Sequence, residues 1–222
     1  MNWYLITNII GATGVALILV IALAMEGFTF KKISLKHITL ISMFGAVSVI
    51  LTNFIGYSIP IFGNVRLAFG DWIIFLLGSL FGPLCGVVSA ISIDSLGSVI
   101  PNSYGYHVGY MFGKTLLGLF GSFVFITKSQ NRIVLKVILY YSLAYIIQSL
   151  FLNQIWMMSW AGPAAWVDTI AKIIKLPIAL PIYISFTYGS LKVIQPLLDR
   201  WPSESVWCFR TTKWASRKNV NM

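Results

Sequence analysis

Asp94 is a carboxylate inside Pro83 to Ile100, a run that is otherwise almost wholly apolar. Keeping an ionisable group at membrane depth is expensive, so such a residue is read first as functional. The structural alternatives are a pair satisfied inside a helix bundle and a charge at the water boundary. Other side chains able to bind a solute stand at the ends of neighbouring apolar runs: Arg66, Tyr104, Tyr106, His107, Asn153, Trp156, Lys172 and Lys175. Lys172 and Lys175 are three apart and share one helix face. Cations, a carboxylate, an amide and aromatic rings suit a flat, hydrogen-bonding heterocycle with an anionic arm. The rings stack on it, Asp94 or Asn153 reads its edge, and Lys or Arg neutralises the arm. For Tyr104, Tyr106 and Trp156 the alternative is an interfacial aromatic belt, which is also the reading of Trp3, Trp201 and Trp207. For Lys172 and Lys175 the alternative is snorkelling to head groups. Lys114 lies deeper in its run and reads as an internal partner within the bundle.

The motifs of catalysis are missing: no GxSxG, no HExxH, no Walker A and no Cys-His-Asp set. Cys85 and Cys208 stand in unrelated contexts, and His37 and His107 have no metal-ligand spacing, so neither a metal nor a cofactor is expected. Without a nucleotide motif the chain cannot drive uptake by an ATPase of its own. Two other readings stay open at this point. One is a membrane-embedded enzyme using Asp94, His107 and Lys114 in acid–base work. The other is a scaffold subunit with no ligand.

The elements that must position these residues are membrane helices. Of 222 residues, 58% are hydrophobic and 10% charged, which excludes an ordinary soluble domain. The net charge of +10 sits in short loops and a tail, a distribution that argues against nucleic acid. The expected fold class is all-α, a polytopic membrane helix bundle with a six-helix core plus one extra amino-terminal helix. Trp3–Met25 is the first apolar run. Ala22-Leu23-Ala24 resembles a cleavage site, but no Lys or Arg precedes the run, which favours a retained helix over a signal peptide. Further spans are expected over Ile38–Pro60, Tyr104–Ile126, Val137–Met158 and Val167–Leu197, the last interrupted by Pro177 and Pro181. The domain reading is 1–37 for the extra helix and a basic linker, 38–198 for a six-helix binding unit, and 199–222 for a basic tail.

Between these spans lies a broken apolar stretch, Arg66 to Ser98. Gly82-Pro83 divides it into a piece too short to cross a bilayer, which takes about 20 residues, and a second that is just long enough. Gly82, Gly86, Ala90, Asp94 and Ser98 recur at every fourth position, a stripe of small residues around one carboxylate that predicts close helix packing. Gly105, Gly109 and Gly113 form a second such stripe.

Most of the 16 lysines and arginines fall in 26–37, in 127–136 and from 192 onward. With a turn at Gly82-Pro83, all three segments share one side. By the positive-inside tendency the amino terminus is outside and the carboxyl terminus cytoplasmic. Arg66, Lys114, Lys172 and Lys175 are the exceptions.

Arg66-Leu-Ala-Phe-Gly-Asp71-Trp, Leu80-Phe-Gly-Pro-Leu-Cys-Gly86 and Ala90-Ile-Ser-Ile-Asp94-Ser-Leu-Gly97 together resemble the substrate-binding S components of energy-coupling factor (ECF) vitamin transporters. Leu152-Asn-Gln-Ile-Trp156 and Lys172-Ile-Ile-Lys175-Leu-Pro177 resemble the folate-type branch of that family. The resemblance covers about 38 to 197. It implies a binding subunit, not an enzyme, in a bacterial cell membrane. Such a subunit captures a folate-like vitamin at the outer face and works with a transmembrane coupling subunit and two ATPase subunits. Riboflavin, pantothenate or a queuosine precursor are the alternative solutes. The family docks through small residues of its first core helix, where Ser42 and Ala46 occupy the matching place. The amino-terminal helix and the segment Pro101–His107 depart from the family pattern.

Overall fold

The computed structural model describes residues 2–27, 35–55, 68–99, 106–127, 129, 131–198, 201 and 206–209, and its regular structure there is all helical. In chain order, α1 is Trp3–Met25. Next, α2 is Leu35–Ile50, running into a π-helical turn at Leu51–Ile55. The broken stretch forms α3, Asp71–Phe81, and α4, Pro83–Val99. Then come α5, Val108–Phe123, and α6, Ile133–Ile146, which passes through a π-helical turn at Ile147–Leu152 into α7, Asn153–Ala161. Finally α8, Ala165–Leu198, is continuous through Pro177, Pro181 and Pro196.

The centre of the bundle is α3. Every residue from Ile73 to Phe81 is buried, as expected for a helix that is apolar all round. At about 1.5 Å per residue, its 11 residues span only about half of a hydrocarbon core about 30 Å thick. It is therefore a short central post, screened from lipid by its neighbours. Gly82 turns the chain at φ +102, a conformation a side chain would strain, and Pro83 starts α4 at the position where a helix spares its N–H.

The glycines explain why α3, α4 and α5 meet so closely. A Cβ on Gly86 would lie 2.6 Å from the Gly118 carbonyl oxygen, and one on Gly78 would collide with the same oxygen. A Cβ on Gly121 would run into the Phe75 carbonyl. The backbones of three helices thus touch with no side chain between them, the packing that lipid-embedded helices use in place of a hydrophobic driving force. Of the expected small stripe, Gly86, Ala90 and Asp94 are buried while Ser98 is exposed.

The helix α1 is packed against this core. A Cβ on Gly11 would come 2.7 Å from the Gly109 backbone nitrogen, and one on Gly14 would press on the Phe112 ring. At the opposite end Trp207 returns to the bundle. Its indole N–H donates to the Ser122 carbonyl at 2.9 Å, and its ring lies over Gly82. The expectation of an interfacial Trp207 is corrected: the residue is buried, because the bare face of Gly82 and the Ser122 carbonyl at the end of α5 make a slot for it.

Candidate functional site

Five elements deliver charged or amide side chains to one interior region. Asp71 opens α3, Asp94 lies in α4, Lys114 in α5, Gln148 on the π-helical turn after α6, and Lys175 in α8. Lys114 Nζ and Asp94 Oδ1 are 2.9 Å apart. Asp71 is 4% exposed, with Lys114, Asp94 and Lys175 in electrostatic reach and Gln148 as a hydrogen-bond partner. Lys175 in turn reaches Lys172, and Tyr106 reaches the Asp94–Lys114 pair. The series so joined holds the ammonium groups of Lys114, Lys172 and Lys175 and the carboxylates of Asp71 and Asp94, with Asp168 as a third carboxylate in reach of Lys172.

Its acceptors are incompletely used. Asp71 Oδ1, Asp94 Oδ2 and Gln148 Oε1 are buried without a hydrogen-bond partner, as are the Tyr141 and Tyr183 hydroxyls. Buried polar atoms are normally satisfied, so a concentration of orphans marks a place where something else belongs. Aromatic rings line the same region. Tyr183 packs against Tyr145 at 5.6 Å and Tyr141 at 6.1 Å between ring centroids, Tyr141 against Phe75 at 4.9 Å, and Phe69 against Tyr183 at 6.3 Å.

A second cluster surrounds His107, the residue that caps α5. Its Nδ1 accepts from the Gly109 N–H at 3.0 Å. The ring proton therefore sits on Nε2, which donates to the Thr7 hydroxyl oxygen of α1 at 3.0 Å. The Thr7 hydroxyl passes its own proton to the Trp3 and Tyr4 carbonyls. Tyr4 stands edge-on to the imidazole at 5.2 Å and donates its hydroxyl to the Tyr106 carbonyl at 2.6 Å. Trp156 covers the other side at 5.5 Å, its ring seated where Gly109 has no side chain.

The residues singled out by sequence divide accordingly. Arg66 and Tyr104 lie outside the described residues. Asp94 gives one oxygen to Lys114, as the internal-partner reading of that lysine requires, and keeps the other buried and unpaired. Lys172 and Lys175 are 8% and 6% exposed, so they do not snorkel. Lys172 Nζ lies 2.9 Å from Met157 Sδ. His107 and Trp156 join the capping cluster, where both imidazole nitrogens are engaged and the Trp156 indole N–H is left unpartnered. Asn153 keeps a buried, unpartnered Oδ1. Tyr106 is 43% exposed at the edge of the inner series. Sequence reasoning did not include Asp71, Gln148, Tyr141, Tyr145 or Tyr183. Asp71 opens a helix that is apolar on every face, and with that start buried its carboxylate has no route to water.

A helical membrane bundle that holds a charged, under-satisfied polar interior among aromatic rings has the layout of a membrane transport component. Residues 32–185 match the family described as ECF-type riboflavin transporter, S component, and the chain belongs to that family. It is a multi-pass membrane protein and the substrate-binding subunit of an importer, not an enzyme. Among curated proteins it is similar to the folate transporter FolT of Clostridium novyi (strain NT), 29% identical over 156 residues, covering 68% of this chain and 85% of that one. It is also similar to the folate transporter FolT of Leuconostoc mesenteroides, 23% identical over 167 residues, covering 72% of this chain and 87% of that one. A crystal structure of FolT bound with folic acid shares the fold at a TM-score of 0.57 and 22% identity, covering 70% of this chain and 95% of that chain.

Proposed function

We propose that this S component captures folate in the interior polar region and presents it for uptake by partner subunits. The observation that carries the reading is the incomplete hydrogen bonding among charged side chains inside the bundle. Lys172 and Lys175 are buried cations in the same series as the Lys114–Asp94 pair, and the acceptors Asp71 Oδ1 and Asp94 Oδ2 have no hydrogen-bond partner. A folate supplies what is missing: ring N–H and amino donors for the carboxylates, a flat face for the tyrosines, and a glutamate arm for the lysines. The names of the two curated relatives point to the same solute. Arg66, Tyr104, Tyr106, Asn153, Trp156 and His107 complete the proposed site, His107 by positioning Trp156.

In this reading residues 38–198 are the binding unit, 1–37 an added helix with its linker, and 199–222 a tail. The distribution of lysine and arginine supports an orientation with the amino terminus outside and the carboxyl terminus in the cytoplasm. Ser42 and Ala46 face outward on α2, whereas His37, Gly45 and Ser48 face in, which leaves a small-residue surface for a transmembrane coupling subunit backed by two ATPases.

The family description names riboflavin, which makes it the second reading. Calorimetric titration of the detergent-solubilised chain with folic acid and with riboflavin separates the two. Saturable folate binding without ATP is expected. Binding of riboflavin alone transfers the site to that vitamin, and binding of neither overturns the proposal.

A further inference from the structure

A cavity of about 350 Å³ opens between the start of α6 and the end of α8, at the Gly82 end of the bundle and away from the interior site. Arg132 and Lys192 line it from opposite helices, with Tyr188 and Gln195 beside them and Ile133 and Leu191 as its apolar wall. Among the described residues lining it there is no carboxylate to neutralise either cation. Lys192 Nζ is held over the Tyr188 ring at 5.1 Å. Arg132 has φ 54, the left-handed region, and is the one non-glycine residue with positive φ among those described. A side chain kept in such a conformation is a reason to look for a use.

The depth of the cavity identifies what reaches it. The 34 residues of α8 make a helix about 50 Å long, which exceeds a hydrocarbon core of about 30 Å. Lys192 and Gln195 lie in its last two turns, at head-group level. Val134, Val193 and Leu197 nearby are 40%, 66% and 67% exposed, a surface for acyl chains beside the two cations. Basic pockets between membrane helices at this level suit anionic head groups.

We propose that this cavity is a binding site for one anionic phospholipid. Arg132 and Lys192 bracket the phosphate, and Tyr188 and Gln195 face the polar substituent beyond it. A choline head group would bring a third cation to the same place.

Native mass spectrometry of the full chain in detergent tests the site, with phosphatidylglycerol, phosphatidylcholine and sn-glycerol 1-phosphate as probes. One tightly retained phosphatidylglycerol is expected, preferred over phosphatidylcholine roughly tenfold or more, since each cation near a membrane surface is worth about 1 kcal/mol. The double variant R132Q/K192Q should lose that preference while keeping the wild-type elution volume and helical content. If it does not fold, the single variants carry the test, each with a partial loss. K136Q is the control: Lys136 is tied to the Ser129 carbonyl at 2.8 Å and does not line the cavity, so its variant should bind as wild type does. Undiminished preference in R132Q/K192Q, or an equal loss in K136Q, would show diffuse surface charge and overturn the proposal. Displacement of the lipid by equimolar sn-glycerol 1-phosphate would also overturn it, in favour of a soluble phosphate site.

Discussion

Lys114 has two carboxylates to answer for, Asp94 at 2.9 Å and Asp71 within electrostatic reach, and all three are inside the bundle. Removing one partner of such a set leaves an uncompensated buried charge, which costs more than the intact pair contributes. Lys114→Met should therefore lower stability by about 3–5 kcal/mol, read as a large fall in the thermal unfolding midpoint in detergent. A variant as stable as wild type would show that the carboxylates do not depend on that ammonium. Lys175 stands differently, because in the proposed site its charge is turned toward the solute. Lys175→Gln should weaken folate binding roughly tenfold to thirtyfold, the scale of losing one desolvated charge contact. Calorimetry reads that loss, and unchanged affinity would remove Lys175 from the site. Lys114 could be recognised from sequence as an internal partner because its run is apolar on both sides. Asp71 escaped because the start of a helix is also where a carboxylate sits to cap it, and local sequence does not say whether that start is buried.

At the scale of elements, the close packing of α4 was legible through Gly86, while its partners Gly78, Gly118 and Gly121 were not singled out. Small residues at every fourth position have one physical use in lipid, which is to let backbones approach. Gly118 is the test of this packing, since a Cβ there would meet the Gly86 backbone. Gly118→Ala should destabilise the chain by about 1–3 kcal/mol, measured by thermal unfolding; a neutral result would mean the helices can separate at no cost. The docking of α1 was less legible. Its apolar run announces a helix, but its partners are set by Gly11, Gly14 and Thr7 meeting residues about a hundred positions away. The seat of Trp207 is of the same kind. Gly82 and Ser122 create it together, and no local pattern near Trp207 points to them.

For the whole molecule, the docking face proposed on α2 would separate capture from uptake. Ser42 and Ala46 are exposed and lie on a different helix from the charged interior series. Ala46→Trp should therefore leave folate affinity unchanged and abolish uptake in cells expressing the partner subunits, measured with radiolabelled folate. Full uptake by that variant would move the coupling surface elsewhere. The meeting of α3, α4 and α5 bears on how such a molecule can move at all. Where main chains abut directly there are no rotamers to switch and no slack to take up. A force applied to one of these helices is passed undiminished to the other two, as through a keel. The trio must travel as a single stiff body, and any flexing falls to the helices around it.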